Sequence, residues 1–286
     1  MRFVHVSDVH LVPGGQLLHG LDPARRLRRC IADINTHAEQ VDFCVFTGDL
    51  CDRGDEDSYR ILKALLLDLR VPHHLMMGNH DRREALLRVF PETATDDAGF
   101  VQAEHVTDSG VFLFLDSVDE GEHGGLYCER RAAWLTERLA RAGRRPVYVF
   151  MHHPPFDIGF ASLDRMKLRD GARFQDLLES AGNVRHLFFG HVHRPLSGSW
   201  GSVPFSALPG TNHQIATDFE MVAPMPYSHG PPAYAIVDVE AERTLVHLSH
   251  FLDDYPRRNA ERIWEPRRAG WAERLLGRLR PRRGSP

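Results

Sequence analysis

Five short polar clusters follow directly on apolar runs in this chain. They are "SDVH" with Asp8 and His10, "TGDL" with Asp49, "GNHD" with Asn79 and His80, "FMHHPP" with His152 and His153, and "FGHVH" with His191 and His193. Two aspartates, an asparagine and several histidines make a mixed oxygen and nitrogen donor set. Such a set suits iron, manganese, zinc or cobalt. It contains no thiolate, so it does not match a structural cysteine-type zinc site. So many donors exceed what one ion of this kind takes, and they fit two ions sharing one carboxylate. A cation pair about 3.5–4 Å apart is the usual arrangement for hydrolysing phosphate esters. In D-x-H and H-x-H, alternate side chains can project toward one centre if the backbone stays extended.

Each residue alone has an ordinary explanation. Asp49 after Gly48 could be a turn residue, and Asn79 could cap the helix of "HDRREALLRVF". Recurrence at five successive strand ends, in one order, is what points to a site.

The elements that must position these residues are legible. "RFVHVSD" alternates and predicts a strand ending at Asp8. "DPARRLRRCIADINTHA" has helical spacing, with Asp22 as N-cap and Pro23 at the first helical position. "DFCVFTGD" is an apolar run with little alternation, as expected of a strand buried on both faces. "DSYRILKALLLDL", "RRAAWLTERLARA" and "RFQDLLESAG" predict helices. "HHLMMGN", "RPVYVFMHH" and "VRHLFFGH" predict strands, and "FVQAEHV" with "VFLFLDS" an antiparallel pair. "LSGSW", "VPFSAL", "AYAIVDVE" and "TLVHLSHFL" close the chain with β segments, while "TDFEMVAPMPYSHGPP" predicts a surface loop. Strands alternating with helices, then a β-rich run, imply an α/β fold with two sheets sandwiched by helices. In such folds sites collect at the carboxyl ends of strands. Gly48, Gly78 and Gly190 are expected to let the backbone turn there.

Composition excludes several classes. The 286 residues are 42% hydrophobic and 26% charged, an ordinary globular balance. Apolar runs are far shorter than the roughly 20 residues of a membrane span. The N-terminus lacks the apolar block of a signal peptide, so a cytoplasmic protein is expected. Cys30, Cys44, Cys51 and Cys128 form no C-x-x-C pair and are expected to be buried free thiols. Net charge is -4, with ten arginines against five acidic residues from Asp253 onward. The remainder is therefore strongly acidic, which argues against a surface that coats nucleic acid. The expected organisation is residues 1–252 as the catalytic domain, with about 195–252 its β-rich part, and 253–286 as an arginine-rich tail.

The five blocks, D-x-H, G-D, G-N-H-D, a histidine after the fourth strand and G-H-x-H, resemble the pattern of calcineurin-type metallophosphoesterases over residues 8 to 193. The resemblance implies a four-layer αββα sandwich of two mixed sheets. It implies one metal held by Asp8, His10, Asp49 and His193, and another by Asp49, Asn79, His152 and His191, with Asp49 bridging. His80 is then no ligand but stands over the site and interacts with, or protonates, the leaving oxygen, while His153 supports His152. "LHGLDPARRL", "DRGDEDSYRILKALL", "MHHPP" and "LPGTNHQI" are similar to the class III cyclic nucleotide phosphodiesterases and the related bacterial glycerophosphodiesterases. "DEGEHGGLY" resembles a loop in which a histidine, here His123, nears the substrate. Asn79, His80, His123 and His193 are the expected substrate contacts. The hydrolase that cleaves UDP-diacylglucosamine is set aside, because it has arginine where this chain has His80. The implied activity is hydrolysis of small phosphodiesters, cyclic AMP or glycerophosphodiesters. The alternatives are a phosphomonoesterase, a nuclease or a metal-bearing scaffold without turnover. Relatives associate through the C-terminal β region, so a homo-oligomer is an expectation.

Overall fold

The computed structural model describes residues 1–217, 219 and 225–252. In chain order its elements are β1 (Arg2–Val6), α1 (Pro23–Ile34), β2 (Phe43–Phe46), α2 (Glu56–Leu66), β3 (His73–Leu75), α3 (Arg83–Val89), β4 (Ala103–Thr107) and β5 (Gly110–Phe114). Then come α4 (Glu129–Ala142), β6 (Val147–Met151), α5 (Ala161–Asp164), α6 (Gly171–Ala181), β7 (Val184–Phe189), β8 (Leu196–Trp200) and β9 (Val203–Ala207). The last are β10 (Gln214–Ile215), β11 (Tyr227–Ser228), β12 (Tyr234–Val239) and β13 (Thr244–Ser249).

Two large sheets result, in the orders β13-β12-β1-β2-β3 and β4-β5-β6-β7-β9-β8, with β10 and β11 forming a separate two-stranded sheet. The first is parallel through β1, β2 and β3, with β12 antiparallel to β1. The second is parallel from β5 through β6 and β7 to β9, with β4 and β8 antiparallel at its edges. The C-terminal β segments are thus divided between the sheets: β8 and β9 extend the second, and β12 and β13 complete the first. The expected surface loop around Tyr227 is partly strand, because β11 pairs with β10.

Period-two alternation sorts the side chains into layers. Phe3, Phe43, Val45, Phe112, Phe114, Tyr148, Phe150 and Phe188 face inward between the sheets. Their neighbours Val4, Val6, Cys44 and Phe46 face outward under α1, α2 and α3. Val111, Leu113, Val147, Val149, Leu187 and Phe189 face outward under α4 and α6. The inner layer is aromatic, with Phe3 stacked on Phe43 at 5.2 Å and Phe150 on Phe188 at 4.8 Å. Planar rings of this kind fill a sheet-to-sheet gap of about 10 Å. Strands buried on both faces cannot shift register without exposing one set, so the polar residues at their ends are held in place.

The N-terminus of α1 is as expected, with the Asp22 side chain accepting from the Arg25 N–H at 3.0 Å. Asn79 does not cap α3, which starts at Arg83 without a side-chain cap. Cys30, Cys44 and Cys51 are buried, but Cys128 is only half-buried at the start of α4. No helix among the described residues is long and apolar enough to cross a membrane. The expected arginine-rich tail lies outside the described residues.

Candidate functional site

All five polar clusters meet at the carboxyl ends of β1, β2, β3, β6 and β7. Asp8, His10, Asp49, His152, His191 and His193 are buried there, each no more than 5% exposed. Asp8, His10, Asp49 and His193 each place a donor atom within 4.8 Å of the others. His10 Nε2 stands 3.1 Å from His193 Nε2, and His193 Nε2 stands 3.5 Å from Asp8 Oδ1. On the other side, His152 Nε2 lies 3.1 Å from Asn79 Oδ1, and the His191 ring is 5.1 Å from the His152 ring. Asp49 Oδ2 lies between the two sets, 3.4 Å from His10 Nε2 and 3.3 Å from His152 Nε2.

The backbone reaches this arrangement by an unexpected route. The alternate residues are not on extended chain. Asp8, His10, Asp49, His191 and His193 all have positive φ, between 48° and 69°. Short polar residues and histidine tolerate this region better than most, and such strain gathers at functional sites. The turning is therefore done by the donor residues themselves. Gly48 shares it, with φ of 95°, but Gly78 and Gly190 have ordinary φ. Those two are needed for space. A Cβ at Gly78 would meet Asp49 Oδ1 at 2.2 Å, and one at Gly190 would meet Ser7 Oγ at 2.1 Å. The H-x-H pair also divides, His193 joining Asp8 and His10 while His191 packs against His152 and His153.

Hydrogen bonds fix which ring nitrogen faces the centre. The Nδ1–H of His152 donates to the Thr47 carbonyl at 2.8 Å, and that of His193 to the His213 carbonyl at 2.9 Å. Their Nε2 atoms are left to point inward, the arrangement that orients metal-binding imidazoles. Burial works against a charged His152 ring, but the Asp49 carboxylate outweighs it and lifts the ring to about 9. Burial works against a charged Asp49 too, yet His152, His80 and His10 hold it well below the usual carboxylate range. The negative field that attracts a proton to His152 also attracts a cation, which competes for the same lone pair. Burial pushes His191 well down, so it is neutral and able to ligate. Asp8 Oδ2 and His191 Nε2 are buried with no hydrogen-bond partner among the described residues. Buried polar atoms left this way cost roughly 1–3 kcal/mol each, a penalty that cation binding relieves. The donor set and these orphaned atoms fit a pair of cations.

His80 is different. Its side chain is 33% exposed, so it faces the opening rather than the buried donors. Its backbone N–H donates to Asp49 Oδ1 at 2.9 Å, and its Nδ1–H to the Asp52 carbonyl at 2.7 Å. The Nε2 is thereby left for a ligand. Burial opposes its charge, but Asp49 and the Asp52 carbonyl raise it above the ordinary histidine value. His123 lies on an exposed loop with its ring 6.2 Å from that of His80. Both line a cleft of about 340 Å³ with His10, Asp49, Asn79 and His193. His153 sits behind the site, its Nδ1 2.8 Å from Ser117 Oγ.

Sequence reasoning missed Asp81, although it is the last residue of "GNHD". Its Oδ1 accepts from the Cys51 N–H and the Tyr59 hydroxyl, and its Oδ2 from the N–H groups of Leu50 and Gly78. It ties the loop after β2 to the loop after β3, and so sets Asp49 against Asn79. Asp81→Asn is expected to destabilise the chain by about 2–4 kcal/mol, because an amide NH₂ must then face two donors. Urea unfolding checks this, and an unchanged midpoint would remove the role.

A family model described as calcineurin-like phosphoesterase matches residues 1–195. The chain belongs to the calcineurin-like phosphoesterase family. A probable cyclic nucleotide phosphodiesterase of Rhodopseudomonas palustris is 41% identical over 259 residues, covering 90% of this chain and 94% of that protein. A probable glycerophosphodiester phosphodiesterase of Arcobacter nitrofigilis is 32% identical over 82% of this chain and 86% of its own length. Among solved structures, a dimetal phosphatase from Danio rerio has the same fold, with a TM-score of 0.67 at 18% identity, covering 88% of this chain and 96% of that one. The family implies a binuclear metal centre, and the buried histidine and aspartate donors of this calcineurin-like chain are the residues that fit it.

Proposed function

We propose that this chain is a dimetal phosphodiesterase that hydrolyses small phosphodiesters, 3',5'-cyclic nucleotides first among them. The observation that carries the proposal is the position of Asp49 Oδ2, shared between two buried donor sets. Asp8, His10, Asp49 and His193 would hold one cation; Asp49, Asn79, His152 and His191 would hold the other. Iron, manganese, zinc and cobalt all suit these donors. When bound, such cations supply Lewis acidity, drawing charge from the phosphate oxygens and easing ionisation of a water at neutral pH.

The chain's own residues do the rest. Asn79 and His193 border the cleft and hold the phosphate against the centre. As water oxygen bonds to phosphorus, the bond to the leaving oxygen breaks. His80, with Nδ1–H anchored on the Asp52 carbonyl, gives its Nε2 proton to that alkoxide. His123 stands across the leaving group's path. The relatives named as cyclic nucleotide and glycerophosphodiester phosphodiesterases support a diester.

Glycerophosphodiesters are the second reading, favoured by a trough of about 840 Å³ that also borders His80 and His123 and carries the charged side chains of Arg53, Arg82, Glu120 and Glu122. A panel of bis- and mono-p-nitrophenyl phosphate, cyclic AMP and glycerophosphoethanolamine, run before and after chelation, tests the function. Diester hydrolysis that chelation abolishes and manganese restores is expected. Activity indifferent to chelation, or confined to the monoester, contradicts it.

A further inference from the structure

The donor residues that would hold the cations, and His80, line only one end of the cleft. From that end a series of rings leads outward. His213 packs on His193 at 4.5 Å and on His10 at 5.1 Å, His19 packs on His213 at 4.6 Å, and Tyr227 lies on His19 at 4.1 Å with 31° between their planes. Three separate segments bring these rings together: the loop after β1, the loop before β10, and β11. Each is pinned. The His213 carbonyl accepts from His193, and the His19 carbonyl accepts from His229 Nε2 at 2.8 Å. His19 is held at a positive φ of 51°. Beside the rings, Leu163, Met166, Ile215 and Met225 line the same cleft with aliphatic and thioether surface.

We infer that this ring-and-aliphatic wall seats the nucleobase of a cyclic nucleotide, with Tyr227 as the stacking, specificity-determining residue. The inference rests on the phosphodiesterase function proposed above. A flat heteroaromatic ring offers π-faces to Tyr227 and His19, and polarisable methionine sulfur suits its edge. A glycerol or other polyol moiety has no flat face to lay on these rings and gains little from the aliphatic and thioether surface beside them. A quaternary ammonium group also favours aromatic rings, but the carboxylates lining this cleft, Asp49 and Asp52, lie at its cation end. The volume of about 340 Å³ is at the small end for ligand sites and suits one nucleotide rather than a polymer.

Tyr227 is 51% exposed, so truncating it leaves the core intact. The test uses the metal-loaded full chain, bis-p-nitrophenyl phosphate as reporter, and two competitors, adenosine and inorganic phosphate. Adenosine carries no phosphate and reads the wall alone; phosphate carries no ring and reads the cation end. Tyr227→Ala is expected to raise the inhibition constant for adenosine and the KM for cyclic AMP about tenfold, as for loss of one base-stacking platform. It is expected to leave the constant for phosphate unchanged, and Tyr227→Phe restores adenosine binding. Reporter hydrolysis that adenosine does not inhibit overturns this inference alone, as does equal weakening of both competitors. Selective loss of glycerophosphocholine hydrolysis would assign the wall to a quaternary ammonium group instead. Absence of any reporter hydrolysis overturns the phosphodiesterase function and the inference together.

Discussion

Asp49→Asn is expected to lower kcat/KM for bis-p-nitrophenyl phosphate by at least about 10³-fold, since it removes charge stabilisation at the reacting phosphate. The substitution is chosen because the fold should survive it. An asparagine Oδ1 still accepts the His80 N–H, and its NH₂ can donate to the inward lone pair of His10 or His152, which now stand 3.4 and 3.3 Å from Asp49 Oδ2. What is lost is the shared negative charge. Neither donor set is complete without it, so both cations weaken together. Steady-state kinetics with a parallel unfolding curve separates this from collapse of the structure. Wild-type rates in the variant would remove Asp49 from the centre.

His80→Ala has the second largest expected effect, and it depends on the substrate. Proton donation matters when the leaving alkoxide is strongly basic. Hydrolysis of a cyclic nucleotide or glycerophosphodiester should therefore fall by about 10²–10⁴-fold, and that of a p-nitrophenyl diester by much less. Cation content should be kept, because His80 faces the opening and only its backbone N–H touches Asp49. Rates on substrates of graded leaving-group basicity check this. Equal slowing of all of them would leave His80 a positioning residue and no proton donor.

Much of this site is legible in the sequence because each donor cluster ends a strand, and all of these strands but the edge strand β3 are largely buried. The unbroken apolar run Phe43, Cys44, Val45 and Phe46 assigns "DFCVFTGD" to a strand buried on both faces, and Asp49 follows as the point where the chain leaves it. What is not legible lies in contacts that local pattern cannot carry. The local pattern of "FGHVH" does not say that its two histidines serve opposite sides of a shared carboxylate; that division comes only from the family resemblance, and the folded chain reaches it with both residues at positive φ. Asp81 looks like one more polar residue until four donors from three segments are seen to converge on it. The pairing of β10 with β11 joins two-residue strands across a proline-rich stretch, so Tyr227 shows no link to His19 before folding. The same holds for β12, whose place beside β1 is set by long-range pairing and by no periodicity of its own.

Manganese content per folded chain, determined on wild type and Asp49→Asn after identical loading and desalting, tests the shared-carboxylate centre most directly. The account predicts about two ions per wild-type chain and close to none in the variant. Two ions retained by the variant would contradict it.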